Sequence, residues 1–80
     1  MNTDGNSWLE VDGKLFKRFE FSNFIEAWDF VNQVGELAEK KQHHPDIKFG
    51  WGYAEIFLFT HDKNEISDKD YGLAESIDAI

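Results

Sequence analysis

The sequence predicts an α+β domain, a four-stranded antiparallel sheet with helices packed on one face in the order β-β-α-β-β-α. Three observations lead there. Two short alternating segments flank Asp12-Gly13, a strong two-residue turn signal. A long stretch with apolar residues at helical spacing follows, and then the same alternation returns before a final capped segment. Strands joined by tight turns and interrupted by helices call for an antiparallel sheet rather than parallel crossover units.

Taken in order, Trp8-Leu9-Glu10-Val11 reads as a short strand and Leu15 to Phe21 as its hairpin partner. Ser22 or Asn23 can cap a helix running from about Asn23 to Lys41, with Asn23 and Glu26 at capping-box spacing. Phe24, Ala27, Trp28, Val31, Val34 and Ala38 fall on one stripe of that helix, widened by Phe30 and Leu37. Lys40 and Lys41 lie in its last turn, where positive charge complements the helix dipole. A short strand over Ile47 to Gly50 leads through Trp51-Gly52-Tyr53 into a strand from Ala54 to Thr60. Ala54, Ile56 and Leu58 point one way and Glu55, Phe57, Phe59 and His61 the other, so the face away from the helices is also expected to be partly covered, as by another subunit. After a polar turn at Asp62 to Glu65, Ser67 begins a capping pattern with Asp70, and Tyr71, Leu73, Ala74 and Ile77 give the final helix.

At 80 residues, 41% of them apolar and 16% aromatic, the chain is expected to be one domain over residues 8–80 behind a disordered polar lead at 1–7. Without cysteine its stability must come from packing or association. A net charge of −8 with no basic stripe argues against direct nucleic-acid binding and against an anionic membrane surface. No apolar run approaches the roughly 20 residues of a membrane span, and the polar, acidic start is unlike a secretory signal, so the expected location is the cytoplasm.

The chemistry is concentrated in imidazole. His43-His44-Pro45 follows the first helix, and the third histidine, His61, ends an alternating strand. Imidazole titrates near neutrality, so a proton-transfer site is the first functional reading. Pro45 biases His44 toward extended backbone, which stops the helix and lets both rings turn toward a cleft. Glu39 lies four residues before His43, so a helix persisting to that point places carboxylate and imidazole on one face. The plain structural readings are a solvated charge for Glu39, a first-turn acid for Asp70 and core or rim packing for Trp28 and Trp51. The two adjacent histidines lack the i, i+4 spacing of a helical zinc site, and neither a cysteine nor a serine elbow offers a nucleophile.

Glu39, His43, His44, Pro45, Trp51, His61 and Asp70, with three, five, nine and eight residues in the gaps, fill every element of a pattern that resembles the pterin-4a-carbinolamine dehydratases. The flanking Trp8, Leu15, Phe19, Phe21, Leu37-Ala38, Thr60 and Leu73-Ala74 are similar as well, so the likeness covers residues 8 to 78. The chain resembles a short member lacking the N-terminal helix that family chains usually place before the residue matching Trp8. Asn64-Glu65 stands where the family commonly has a glycine, and asparagine tolerates the left-handed backbone such a turn needs. The resemblance implies dehydration of 4a-hydroxytetrahydrobiopterin to the quinonoid dihydropterin, a step of tetrahydrobiopterin recycling. It implies His43 and His61 as proton carriers and His44 as the residue that orients the pterin. Glu39 and Asp70 would support the rings, while Pro45, Trp51 and Thr60 would bind the flat substrate. It implies no metal and no bound cofactor, since the pterin is the substrate, and a homo-oligomer, dimer or tetramer. The same likeness implies an alternative, a non-enzymatic pterin- or protein-binding module of the dimerisation-cofactor kind.

Overall fold

The computed structural model describes residues 7–80; of the expected disordered lead at 1–7, all but Ser7 lies outside the described residues. The elements are β1 (Leu9–Val11), β2 (Lys14–Glu20), α1 (Phe24–Lys41), β3 (Asp46–Gly50), β4 (Tyr53–Leu58) and α2 (Asp68–Asp78). The four strands form one antiparallel sheet in the order β1-β2-β4-β3. The predicted α+β architecture and its element order are therefore observed. No helix among the described residues is long and apolar enough to cross a membrane.

Local chemistry sets the boundaries. Asp12 and Gly13 both have positive φ, 52° and 78°, which gives the two-residue turn the twist of its flanking strands. Asn23 caps α1 by accepting the Glu26 N–H at 2.9 Å, and the Glu26 carboxylate accepts the Ser22 N–H at 2.9 Å, a reciprocal closure displaced by one residue from the usual box. Trp51-Gly52 turns β3 into β4, and Gly52 at φ 80° adopts a backbone that a side chain would strain.

The core lies between the sheet and both helices. Leu15 and Phe19 from β2 and Ala54, Ile56 and Leu58 from β4 meet Phe30 and Val34 of α1 and Leu73, Ala74 and Ile77 of α2. The α1 stripe is rotated from the expected one. Phe30 is buried while Trp28 is 50% exposed, and Phe24 is also exposed. Phe30 packs on Phe19 and Phe21 at ring distances of 4.6 and 5.2 Å, whereas Phe24 and Trp28 lean over Phe49 at the sheet edge. A stripe drawn from spacing alone cannot tell its centre from its margin; the aromatic residues of β2 decide it.

On the opposite sheet face the apolar rings are half-buried and lean on side chains of the same chain. Phe16 packs on Phe57, Lys14 lies over Phe59 and Arg18 lies over Tyr53 while pairing with Glu55 at 2.8 Å. Lys17 points inward instead and is 5% exposed. Its ammonium meets Asp78 at 2.8 Å, and Asp78 also accepts the Trp8 indole N–H at 3.0 Å, so one carboxylate ties α2 to β2 and to the chain before β1.

Phe30→Ala is expected to lower stability by about 3–5 kcal/mol in urea denaturation, and Trp28→Ala by less than half of that. Equal losses would contradict this placement of the stripe.

Candidate active site

The first helix ends through its backbone. Gln42 takes left-handed φ and ψ of 51° and 43°, its N–H reaches the Glu39 carbonyl, and the His43 N–H reaches back to the Ala38 carbonyl at 3.1 Å. The Gln42 side chain caps the Glu39 carbonyl as well, at 2.7 Å. A left-handed non-glycine residue costs about 1–2 kcal/mol, which these three bonds offset. The result is a sharp exit that fixes His43 before Pro45 starts the run into β3.

This exit changes the expected pairing. Glu39 does not meet His43, because the helix stops at Lys41 and the i, i+4 relation is lost. Glu39 instead contacts His44, Oε2 to Nε2 at 2.6 Å, in solvent. His43 turns inward and meets Asp70 of α2, Nε2 to Oδ1 at 2.5 Å, with 11% of the imidazole side chain and none of the carboxylate side chain exposed.

Asp70 is the centre of a closed set of bonds. Its Oδ2 accepts the Ser67 N–H at 2.9 Å, the half of the capping box that the Ser67 to Asp70 spacing predicts. The same oxygen accepts the Thr60 hydroxyl at 2.9 Å, and Thr60 Oγ1 lies 2.5 Å from Ser67 Oγ. Thr60 has one hydroxyl proton and directs it to Asp70, so Ser67 is the donor to Thr60. With its carboxylate acting only as acceptor, Asp70 takes the Nε2 proton of His43 and leaves Nδ1 as the ring atom able to exchange a proton with a ligand. Among the described residues no buried side-chain nitrogen or oxygen lacks a partner.

The strand register explains why these residues meet. Asp46 stands opposite Phe57 in the β3–β4 ladder, so the same register carried three residues beyond that pair brings His43 level with Thr60. Thr60 is held there by a bridge to Glu65, with N–H to carbonyl at 2.8 Å, and the intervening turn has Asn64 at φ 54°, the left-handed backbone expected at that position.

His61 follows Thr60 but faces the other way. Its ring is exposed and packs on Phe59 at 4.2 Å, on the sheet face opposite the helices, and among the described residues it makes no hydrogen bond. Thr60, expected among the substrate-binding groups, directs its hydroxyl to Asp70. Pro45 adjoins the paired histidines and is half-buried. Trp51 is 71% exposed in the β3–β4 turn, separated from Pro45 by the length of β3, about 20 Å. The chain therefore gathers His43, His44, Glu39, Asp70, Thr60 and Ser67 at one end of the β3–β4 hairpin, with the His61 ring on the opposite sheet face, and leaves Trp51 at the other end. Ser67 was legible as a cap, whereas Gln42, whose left-handed backbone ends the helix, carries no sequence signal, and none marks the side-chain hydrogen bonds of either residue. A cleft of about 430 Å³ lies elsewhere, between β2, α1 and α2, floored by Phe19, Phe30 and Ile77 and without an imidazole.

Comparison with known proteins agrees with this fold and motif. The family model described as pterin 4 alpha carbinolamine dehydratase matches residues 1–80. A Rubrobacter xylanophilus protein, provisionally named a pterin-4-alpha-carbinolamine dehydratase, is 51% identical over 91% of this chain and 69% of its own length. A Picosynechococcus protein with the same provisional name is 45% identical over 91% of this chain and 79% of its own. Among solved structures, a transcriptional coactivator/pterin dehydratase from Brucella melitensis superposes with a TM-score of 0.82 at 28% identity, covering 95% of this chain and 81% of that one. A pterin dehydratase-like protein identified as a RuBisCO assembly factor in the alpha-carboxysome gives the same TM-score and identity over 99% of this chain and 94% of its own.

Asp70→Ala strands the Ser67 N–H, the Thr60 hydroxyl and the His43 ring together and is expected to cost about 3 kcal/mol or more in urea denaturation, against less than about 1 kcal/mol for Glu39→Ala. Comparable losses would contradict the central place of Asp70.

Proposed function

The chain belongs to the pterin-4a-carbinolamine dehydratase family, and on that premise we propose that it dehydrates 4a-hydroxytetrahydrobiopterin to the quinonoid dihydropterin and water, as part of tetrahydrobiopterin recycling. The supporting observation is the His43 imidazole held at Nε2 by a fully buried carboxylate, beside a second imidazole that reaches solvent. In the reaction the C4a–O bond breaks as the departing hydroxyl takes up a proton, and a ring nitrogen gives up its proton as it forms a double bond to C4a. Water leaves, and no electron is exchanged with any other group.

Imidazoles near neutrality suit both proton transfers. His43, with its Nδ1 left open, is one carrier, and His61, attached one residue after Thr60, is the other once its ring turns from Phe59 on the opposite sheet face toward the pterin. His44 orients the pterin and is itself oriented by Glu39. Asp70 holds His43 through the same bonds that start α2, so the ring is positioned before substrate arrives. Pro45 offers an apolar edge beside the rings, and Thr60 acts through Asp70.

A second reading has its own support. A solved relative that matches 94% of its length to this chain is described as a RuBisCO assembly factor, so a fold of this outline also serves protein binding. On this reading the chain is a non-enzymatic pterin- or protein-binding module.

A coupled hydroxylase assay separates the two. The purified chain is expected to accelerate loss of the 4a-hydroxy intermediate, with His43→Ala and His61→Ala each slowing it roughly 10²-fold or more. Folded protein that leaves the uncatalysed rate unchanged, while binding pterin or a protein partner, would decide for the second reading.

A further inference from the structure

The cleft between β2, α1 and α2 takes no part in the site described above, and its two walls are unlike. Its floor is the buried side chains of Phe19, Phe30 and Ile77, with half-buried Phe21 beside them. Phe30 lies 4.6 Å from Phe19 and 5.2 Å from Phe21 between ring centres, so the rings form one continuous surface. The α1 wall is polar, built from Glu26, Asp29 and Gln33. These three follow one another at helical spacing and stand in one row above the rings. At about 430 Å³ the cleft falls within the roughly 300–1,000 Å³ of small-molecule sites. Nine described residues line it, fewer than half of the roughly 20–30 on each side of a stable protein interface.

The carboxylates around this cleft differ in what they have left to bind. Asp78, at the α2 side, is fully engaged, with Lys17 on one oxygen at 2.8 Å and the Trp8 indole on the other at 3.0 Å. Glu26 accepts the Ser22 N–H with one oxygen at 2.9 Å and keeps the second. Asp29, one turn further along α1, makes no side-chain hydrogen bond or ion pair among the described residues. Two uncompensated negative charges therefore border a floor of aromatic and aliphatic carbon, in a chain of net charge −8. Phenyl faces attract cations as well as apolar groups, and the fold already uses this, since the Lys17 ammonium lies 5.0 Å from the centre of the Phe19 ring. An anion is repelled by the α1 wall, and a neutral molecule gains nothing from either free carboxylate.

We propose that this cleft binds a small organic cation, a primary amine carried on an aryl or branched alkyl body, with the ammonium between Glu26 and Asp29 and the body on Phe19, Phe30 and Ile77. Side chains three residues apart on a helix have Cβ atoms about 5–6 Å apart, so one ammonium, with three N–H donors, meets both carboxylates. The same ammonium faces the phenyl floor, which adds its own attraction to the positive charge. This site is separate from the histidines. Asp70 stands in the first turn of α2 and Ile77 in the last, about 10 Å further along the helix axis. Occupancy of the cleft is therefore measurable without reference to the reaction proposed for the histidines.

Three probes on one skeleton test the proposal: 4-phenylbutylamine, 4-phenylbutanol and 4-phenylbutyrate, each titrated into the isotope-labelled chain while backbone amide shifts are followed by NMR. The amine is expected to bind at roughly 0.1–1 mM, about five- to twentyfold more tightly than the alcohol, with the butyrate weakest. Shifts should centre on Asp29, Phe30 and Ile77, with nuclear Overhauser contacts from the phenyl protons of the amine to the Ile77 methyl groups. Asp29 is exposed, so Asp29→Asn keeps the fold; it is expected to weaken the amine about threefold and leave the alcohol unchanged. Raising the ionic strength to about 1 M should shrink the preference for the amine in the same way. Equal binding of amine and alcohol would overturn the proposal, as would a preference that survives Glu26→Gln and Asp29→Asn together. So would shifts centred on His43 and His44, or the absence of saturable binding by the amine.

Discussion

A carboxylate with no access to water must find hydrogen-bond donors for both of its oxygens, and Asp70 finds them on three separate parts of the chain. The exit of α1 contributes an imidazole, the end of β4 a hydroxyl and the start of α2 a backbone N–H. Each of these segments is irregular by itself, and the buried charge gives them a common fixed point. The same contact that closes the fold at this end therefore aligns His43. Stability and function are coupled here through one side chain, since any change that frees the imidazole also leaves buried donors without a partner.

The opposite end of α2 is fastened in a comparable way. Asp78 receives Lys17 and the Trp8 indole, so the helix is tied to the sheet by an acid near each terminus while Leu73, Ala74 and Ile77 fill the interval. The two fasteners differ in what they leave over. Lys17 is satisfied by its partner and covered by Phe19, whereas His43 retains a second ring nitrogen. That remaining valence separates a site from a strut.

Local signals carried most of the fold. Asp12-Gly13, the alternation through β2 and β4, the Asn23 cap and the Ser67 to Asp70 spacing each act over a few residues, and each is found where such chemistry places it. Periodicity was less decisive where tertiary contacts choose among apolar neighbours, as when Phe30 rather than Trp28 became the buried ring. For the candidate site, the motif marked Glu39, His43, His44 and Asp70 but not which carboxylate meets which imidazole. Helical spacing assigned Glu39 to His43, and a single left-handed residue at Gln42 redirected it to His44. Pairing across α2 and the network through Thr60 and Ser67 depend on strand register beyond the strand ends, which no local pattern encodes. Trp51 is the plainest case, since it shares a motif with the histidines yet stands exposed at the opposite end of β3.

The most direct measurement is a crystal structure of the chain with 7,8-dihydrobiopterin bound. The account requires the heterocycle at the end of the β3–β4 hairpin, with His43 still on Asp70 and its Nδ1 facing the pterin, and with the His61 ring turned from Phe59 toward the ligand. A pterin seated instead in the cleft over Phe19, Phe30 and Ile77, or one that leaves all three imidazoles untouched, would contradict it.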